Sequence, residues 1–383
     1  MDTLYPYDQY VTGRHFVGRR NDVTLLGNLL SQGEHVVISE PPKAGKTSLI
    51  QQTLYSLRVK SVTFSVGQFS ALNIRTPEEF LLRMGATLLR MVGATPAEYG
   101  DLVSRYLEGT HFVFDPVAYE SEGRILSLNW DLEEADVTAL MSLPFRMAQE
   151  RGDRIILIVD EFQCLTLLDN PDAILRPLSH SLKENKENRR FSYIFCGSGV
   201  NAMNSIFRGS YLFGRMVEQV KLSPVDELEM TDHIHRGFLS AGKVVEKELL
   251  QGACRLFRGN VWYINHFASI CDGMTRGYLM EPGLIDALGC LISVHNPRFV
   301  DIMSNLTTHQ VNLLRATIDG VQRFSGADVI RRYGLNSSAN VKRVKDALMK
   351  KEVLMFDEEE RPVIIDPLFE YWLRKYYFEI KDA

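Results

Sequence analysis

The sequence predicts an α/β protein, in which a parallel sheet core is followed by a small all-helical domain and a winged-helix domain. Short apolar runs of strand type alternate with segments of helical periodicity, and they cover residues 35–39, 61–67, 154–162 and 191–199. This alternation is typical of a parallel sheet with helices on both faces. The strand-type runs stop after residue 224, which assigns the core to residues 1–224.

Two further domains follow the core. Residues 225–300 contain four segments with helical spacing and predict an all-helical domain. Residues 301–383 contain three helical segments and then two strand-type runs around a charged turn. Three helices and a hairpin are the elements of a winged helix-turn-helix.

Composition indicates a globular protein of two or three domains. Of the 383 residues, 45% are hydrophobic and 24% are charged, as in ordinary folded domains. The net charge of −5 argues against nucleic-acid binding over the whole surface, although it leaves room for a local basic patch. We expect no signal peptide and no membrane span. The five cysteines lack C-x-x-C spacing and predict buried thiols in a cytoplasmic protein.

The stretch EPPKAGKTSLI, which begins at Glu40, joins the first predicted strand to a helical segment. It nearly matches the phosphate-binding loop G-x-x-x-x-G-K-[ST], with Glu40 in place of the first glycine. In such a loop, backbone N–H groups and the helix N-terminus surround a phosphate, the lysine reaches the β- and γ-phosphates, and the hydroxyl binds Mg²⁺. A chance match is the alternative, but the strand before the loop and the helix after it argue for a site for ATP or ADP. Its predicted members are Lys43, Ala44, Gly45, Lys46, Thr47 and Ser48.

Two acids end the apolar run RIILIVDEF, and a serine ends the run FSYIFCGSG. Parallel sheets bind ligands at the carboxyl ends of their strands. We expect Asp160 to hold Mg²⁺ through water and Glu161 to orient the attacking water. Ser198 would bond the γ-phosphate or the water. The alternatives are a solvated strand end for the acids and an ordinary turn serine for Ser198.

Several segments together resemble the archaeal-type ATPases of the AAA+/STAND group (signal-transduction ATPases with numerous domains), which are also common in Bacteroidota. YVTGRHFVGRRNDVTLL is similar to the family's N-terminal box, PPKAGKTSLI to its phosphate loop and ILIVDEFQ to its Walker B strand. FCGSGVNAM, YLFGRMVEQVKLSPV and DPLFEYWLRKYY are similar to three later segments. FRGNVWYINHFA takes the place of a G-G-x-P helix start, with Val261 instead of the proline. The likeness covers nearly the whole chain and implies a P-loop AAA+ core, a helical lid and a winged helix.

The resemblance also implies roles for three residues outside the loop and the acids. Main-chain groups around Phe16 and Val17 would contact adenine. Arg215 would lie near the phosphates, in cis or from a neighbouring subunit, where an arginine can stabilise transition-state charge. An ordinary surface ion pair is the alternative for Arg215.

Glu40 departs from the motif and raises a question of its own. Because Pro41 follows it, an extended backbone is favoured at Glu40. Its carboxylate would face either the phosphates, where it would weaken ATP binding, or Arg14 and Arg19 in the N-terminal box. We favour the second orientation.

The winged helix leaves DNA binding open. The third helical segment carries Lys342, Arg343, Lys345, Lys350 and Lys351, which could contact phosphates. The turn between the two strands carries the acids 357–360, which would repel DNA. A protein-interaction or autoinhibitory role therefore fits this domain better, and we expect the chain to have a protein partner or to self-associate.

The sequence as a whole indicates a slow Mg²⁺-dependent ATPase that acts as a molecular switch of the AAA+/STAND type. The alternative is an ATP-dependent DNA-binding regulator or mobile-element factor that uses the winged helix. A third hypothesis is a nucleotide-binding structural protein with negligible hydrolysis.

Overall fold

The computed structural model describes residues 4–209 and 212–380 of the chain. Its described residues form two compact units. The sheet unit comprises Asn21–Glu40 and Thr53–Lys221. The helical unit comprises Pro41–Gln52, the residues up to Arg20 and the residues from Leu222 onward.

A five-stranded parallel sheet lies at the centre of the sheet unit, with the strand order β2-β5-β6-β1-β7. The strands β5 and β6 are apolar and buried along almost their whole length, as expected for a parallel sheet covered on both faces. The sheet strands are β1 (Val36–Ser39), β2 (Phe64–Ser70), β5 (Arg154–Asp160), β6 (Phe191–Gly197) and β7 (Glu218–Gln219).

Helices connect and cover these strands. They are α1 (Arg20–Gln32), α2 (Lys46–Val59), α3 (Pro77–Arg90), α4 (Pro96–Tyr106), α5 (Pro116–Glu122), α6 (Glu134–Arg151), α7 (Asp172–Glu184) and α8 (Val200–Phe207). Phe162–Leu167 forms a 3₁₀ segment directly after β5. The core of the unit is aromatic, and Tyr193, Phe145, Phe191 and Phe195 are fully buried in it.

An excursion from the sheet occupies residues 95–130. It contains α4, α5 and a separate two-stranded sheet formed by β3 (Phe112–Val113) and β4 (Ser127–Leu128). The sequence analysis identified neither of these two helices. The capping box of α4, with Thr95 and Glu98 bonded to each other's backbone, is a signal that could have revealed the first of them.

The helical unit has its own continuous core, which extends from Tyr5 to Leu373. The prediction of purely helical structure in residues 225–300 was wrong in one detail, because β8 and β9 form a short parallel pair there. The elements are α9 (Glu227–Ser240), β8 (Val244–Val245), α10 (Lys247–Leu256), α11 (Val261–Met274), β9 (Tyr278–Leu279) and α12 (Glu281–Ser304).

The predicted winged helix is present in the same unit. Three helices, α13 (Thr308–Ile318), α14 (Ala327–Arg332) and α15 (Ser338–Lys350), precede an antiparallel hairpin. The hairpin is formed by β10 (Leu354–Phe356) and β11 (Pro362–Ile364), and α16 (Pro367–Trp372) follows it.

Two other expectations concern single features. In the described part of the chain, no helix has the length and apolar character needed to cross a bilayer. Four of the five cysteines are buried as predicted, but Cys290 is exposed.

Candidate functional site

The predicted site residues occur in both units. Asp160, Glu161, Ser198 and Arg215 belong to the sheet unit, whereas the phosphate loop belongs to the helical unit with Phe16 and Val17. Each group is described within its own unit.

In the sheet unit, three strands end at the same edge. Ser39 of β1 is paired with Gly197 of β6, and β6 is also paired with β5, which ends at Asp160. The backbone N–H of Glu40 donates to the Gly197 carbonyl at 3.3 Å. Glu40 therefore lies at the sheet edge that carries Asp160, Glu161 and Ser198.

Glu161 is held by two side chains at this edge. The Ser198 hydroxyl donates to Glu161 Oε2 at 2.6 Å. Gln163 Nε2 donates to the same carboxylate oxygen and to Ser198 Oγ at 3.3 Å. The structure thus brings together Glu161 and Ser198 and adds Gln163, which the sequence analysis did not identify.

The backbone at Glu161 has an unusual conformation. Its φ and ψ angles of 51° and 40° are left-handed, which costs about 1–3 kcal/mol for a residue other than glycine. The Glu161 N–H donates to Asp160 Oδ1 at 3.0 Å, and its carbonyl accepts from the Cys164 N–H at 2.9 Å. Backbone strain of this kind is concentrated at functional sites.

The phosphate loop turns through two residues with positive φ, Lys43 at 64° and Gly45 at 101°. Glycine is favoured at Gly45, because residues with a side chain rarely adopt a φ of 101°. The helical ladder of α2 begins with the Leu49 N–H, which donates to the Gly45 carbonyl at 2.9 Å. The N–H groups of residues 46–48 precede that ladder and lie at the helix N-terminus, which favours anions.

Lys46 is buried, and its ammonium group donates to the Pro41 carbonyl at 3.0 Å. The Ala44 N–H donates to the same carbonyl at 3.2 Å, so in this structure it is turned into the loop. Thr47, the predicted Mg²⁺ ligand, is exposed.

The N-terminal segment is bonded to the loop and to the helix that follows it. The Val11 N–H donates to Ser48 Oγ at 3.1 Å, and the Gly13 N–H donates to Gln52 Oε1 at 2.7 Å. Arg19 donates to the Ala44 carbonyl at 2.7 Å and to the Ser223 carbonyl at 2.8 Å. Phe16 and Val17 lie within this segment and are half-buried.

The side chain of Lys43 lies against α11. Its ammonium group is 3.3 Å from the centre of the Trp262 ring, a cation–π contact. Burial lowers the pKa of Lys43, and the nearby Arg298 lowers it further. Trp262 was not identified from the sequence, although it lies in the quoted segment FRGNVWYINHFA.

Lys43 and Trp262 also line a cavity of about 230 Å³ within the helical unit. Among its other lining residues, Tyr263 Oη donates to Asp366 Oδ2 at 2.8 Å, and Arg298 bonds to both residues. His295, another lining residue, has a pKa lowered to about 4 by burial and then by Arg298. Residues of the phosphate loop, α11, α12 and the winged helix therefore all line this cavity.

Arg215 lies in the turn that precedes β7 and is exposed. It makes no hydrogen bond or ion pair with any other residue that the structure describes, so the alternative of an ordinary surface ion pair is not seen there. Tyr211, which begins the YLFGR segment, lies outside the described residues. The role of Arg215 stays a prediction.

The basic helix of the winged helix is α15. Lys342 and Arg343 are exposed on it, and Lys345 lies 4.0 Å from the ring centre of Phe356 in the hairpin. In the acidic turn of the hairpin, Arg361 forms ion pairs with Asp357 and Glu359. The turn is thus less negative than its four acids alone suggested, and DNA binding stays a prediction.

Comparison with known proteins shows what this architecture is similar to. Residues 297–375 match the family described as "Probable winged helix domain". Among curated proteins, none matches the chain. Among solved structures, a Walker-type ATPase of Pyrococcus abyssi is similar over 97% of this chain and 99% of its own, with a TM-score of 0.67 and 16% identity.

A second solved structure is the ORC2 protein of Aeropyrum pernix in ADPNP and ADP complexes. It is similar over 96% of this chain and 94% of its own, with a TM-score of 0.56 and 14% identity. These likenesses confirm the predicted fold class: an α/β core with a parallel sheet, many helices and a C-terminal winged helix.

Proposed function

We propose that this protein is a Mg²⁺-dependent ATPase of the AAA+/STAND type that acts as a molecular switch. The observation that carries the proposal is the hydrogen-bonded group of Glu161, Ser198 and Gln163. It lies at the carboxyl edge of the sheet, where β1, β5 and β6 end. A strained acid held by two neutral donors at such an edge is suited to activating a water molecule.

Each part of the loop has a role in binding. The N–H groups at the start of α2 would bond phosphate oxygens, and Lys46 would exchange its bond to the Pro41 carbonyl for the β- and γ-phosphates. The backbone at Phe16 and Val17 would contact adenine. Thr47 and Asp160 would supply the oxygen ligands that suit Mg²⁺, which would neutralise charge on the phosphates.

Glu161 would activate the water molecule that attacks the γ-phosphate. Its Oε2 is occupied by Ser198 and Gln163, whereas Oε1 accepts no hydrogen bond from any residue that the structure describes. Oε1 would accept a hydrogen bond from the attacking water and orient it toward the γ-phosphorus. Arg215 would stabilise the charge that develops there, in cis or from a neighbouring subunit.

Replacing Glu161 by glutamine tests the proposal. The Glu161→Gln variant retains the size of the side chain and loses the carboxylate, so we expect unchanged ATP binding and hydrolysis slowed at least about tenfold, within the range for positioned acid–base groups. Phosphate release and calorimetric ATP binding would be measured on the same preparations. Equal turnover by the variant and the wild type would remove Glu161 from the mechanism.

A DNA-binding regulator that uses ATP remains the second candidate. The exposed Lys342 and Arg343 of α15 favour it, since cations on the third helix of a winged helix can contact phosphates. A protein partner or self-association fits the acidic hairpin turn better.

A further inference from the structure

Gln163 lies beside Glu161 and Ser198 at the carboxyl edge of the sheet. The proposed mechanism gives it no role. It lies in the 3₁₀ segment that follows β5, one residue after Phe162 and two after Glu161. Its Nε2 donates to both Glu161 Oε2 and Ser198 Oγ. One amide group therefore contacts the two residues that the proposed mechanism uses.

The position of Gln163 is fixed by packing around it. Phe162 is fully buried, with its ring centre 4.7 Å from that of Phe195 in β6 and 5.5 Å from that of Phe207 in α8. On the other side, a Cβ atom at Gly197 would lie 2.6 Å from Gln163 Oε1. Met203 Cγ would lie 2.4 Å from the same Cβ atom, so Gly197 leaves room for the side chains of both Gln163 and Met203.

The direction of the hydrogen bonds follows from the chemistry of the three groups. An ionised carboxylate only accepts hydrogen bonds, so the amide must turn its NH₂ group toward Glu161. Because Ser198 Oγ accepts from Gln163, its own hydrogen is left to point at Glu161 Oε2. Gln163 therefore anchors the acid directly and also aligns the serine that anchors it.

We propose that Gln163 is a positioning residue for Glu161: it fixes one carboxylate oxygen so that the other faces the attacking water. This inference rests on the proposed ATPase function and deepens it. The left-handed backbone of Glu161 leaves its side chain without the support of a regular element. Two hydrogen bonds to one oxygen hold the carboxylate in a single orientation, which reduces the reorganisation needed for reaction.

The kinetic test compares substitutions at Gln163. Gln163→Leu keeps the approximate size and removes the donor, so we expect kcat to fall about tenfold, as for a misplaced catalytic group, with the Kd for ATP unchanged within about twofold. Gln163→Glu keeps the length but places a like charge against Glu161, and we expect a larger loss of kcat. Leu167→Gln, at an exposed position of the same segment, is the matched control and should retain wild-type kcat.

Ser198 provides a second kinetic criterion. Since Gln163 acts partly through Ser198, the losses of kcat in Gln163→Leu and Ser198→Ala should not add in the double variant. Additive losses, an unchanged kcat in Gln163→Leu, or full activity in Gln163→Glu would overturn the proposal. A rise in kcat would also overturn it, because Gln163 would then restrain the acid instead of preparing it.

A measurement without turnover separates this inference from the proposed function. In protein labelled with ¹⁵N-glutamine, the side-chain amide signal of Gln163, assigned with Gln163→Leu, should shift in Glu161→Ala and in Ser198→Ala. An unmoved signal would show that the contact does not exist in solution and would overturn the inference. If the wild type hydrolysed no ATP, the proposed function would fail, while this signal would still decide whether Gln163 holds Glu161.

Discussion

Two titratable residues of the sheet unit lie beside the ends of strands and have contrasting surroundings. Glu161 follows the carboxyl end of β5, where its charge is bonded by Ser198 and Gln163. His35 precedes the amino end of β1 and is buried against Phe145, Phe191 and Tyr193. Polar side chains thus surround the first group, whereas burial keeps the second neutral.

The burial of His35 predicts a pH-dependent stability. Its Nδ1 accepts a hydrogen bond from the Tyr193 N–H at 3.0 Å, and burial, followed by the nearby Arg189, lowers its pKa from 6.5 to about 4. The unfolded chain therefore binds a proton between pH 6.5 and 4 that the folded protein does not bind. Stability from this residue is present above pH 6.5 and falls as the pH decreases toward 4, by about 3 kcal/mol at most.

Urea unfolding at pH 7.5 and at pH 5 would measure this effect. We expect the wild type to lose stability at pH 5 and His35→Gln to lose less of it, although the variant starts from a lower stability because of the altered core. His180→Gln is the control, since that histidine is exposed beside Glu184. An identical loss at pH 5 in wild type and His35→Gln would exclude His35 as the source.

Among single residues, the sequence predicted those candidate site residues that belong to a local motif. Lys46, Asp160 and Glu161 follow from the loop and the strand end, and Ser198 follows from its position after a second strand. Gln163 was missed because its role depends on the left-handed turn at Glu161, which no local residue pattern predicted. The orientation of the Glu40 side chain stays a prediction.

At the scale of elements, α16 begins at an aspartate with several partners. Asp366 Oδ1 accepts from the N–H groups of Leu368 at 2.9 Å and Phe369 at 3.1 Å, which caps the helix. The same carboxylate accepts from Tyr263 Oη and forms an ion pair with Arg298. One side chain thus joins α11, α12 and the winged helix.

Replacing Asp366 by alanine should therefore lower the free energy of unfolding more than replacing a residue that only caps a helix. We expect Asp366→Ala to lower the free energy of unfolding by about 2–3 kcal/mol, from the lost cap and the partners left unpaired. Asp115, which caps α5 through the Val117 N–H alone, is the matched control, and its Asp115→Ala variant should cost about 1 kcal/mol. Equal losses in the two variants, measured by urea unfolding, would contradict the joint role of Asp366.

Elements with strong local signals were predicted well, and weakly marked ones were not. The apolar runs of β5 and β6 and the three helices of the winged helix were found because burial imposes a simple pattern on them. The second strand was predicted at residues 61–67 but is Phe64–Ser70, since its half-buried residues do not mark where it starts. The strands β8 and β9 have two residues each, too few for any periodicity.

At the scale of the molecule, the phosphate loop and the winged helix belong to the same compact unit. Within it, Lys43 lies on Trp262, and the adjacent Tyr263 bonds to Asp366 of the winged helix. A continuous set of contacts thus leads from the loop to α16. The sequence predicted three domains, 1–224, 225–300 and 301–383, and that division stays a prediction.

The account depends most directly on nucleotide binding by the loop. Calorimetry with ATP and ADP in the presence of Mg²⁺ should show binding by the wild type and loss of binding by Lys46→Ala, because Lys46 is the loop's buried cation. Lys60→Ala, which removes an exposed lysine just after α2, should bind like the wild type. Unchanged affinity in Lys46→Ala, or no binding by the wild type, would contradict the assignment of this loop as the nucleotide site.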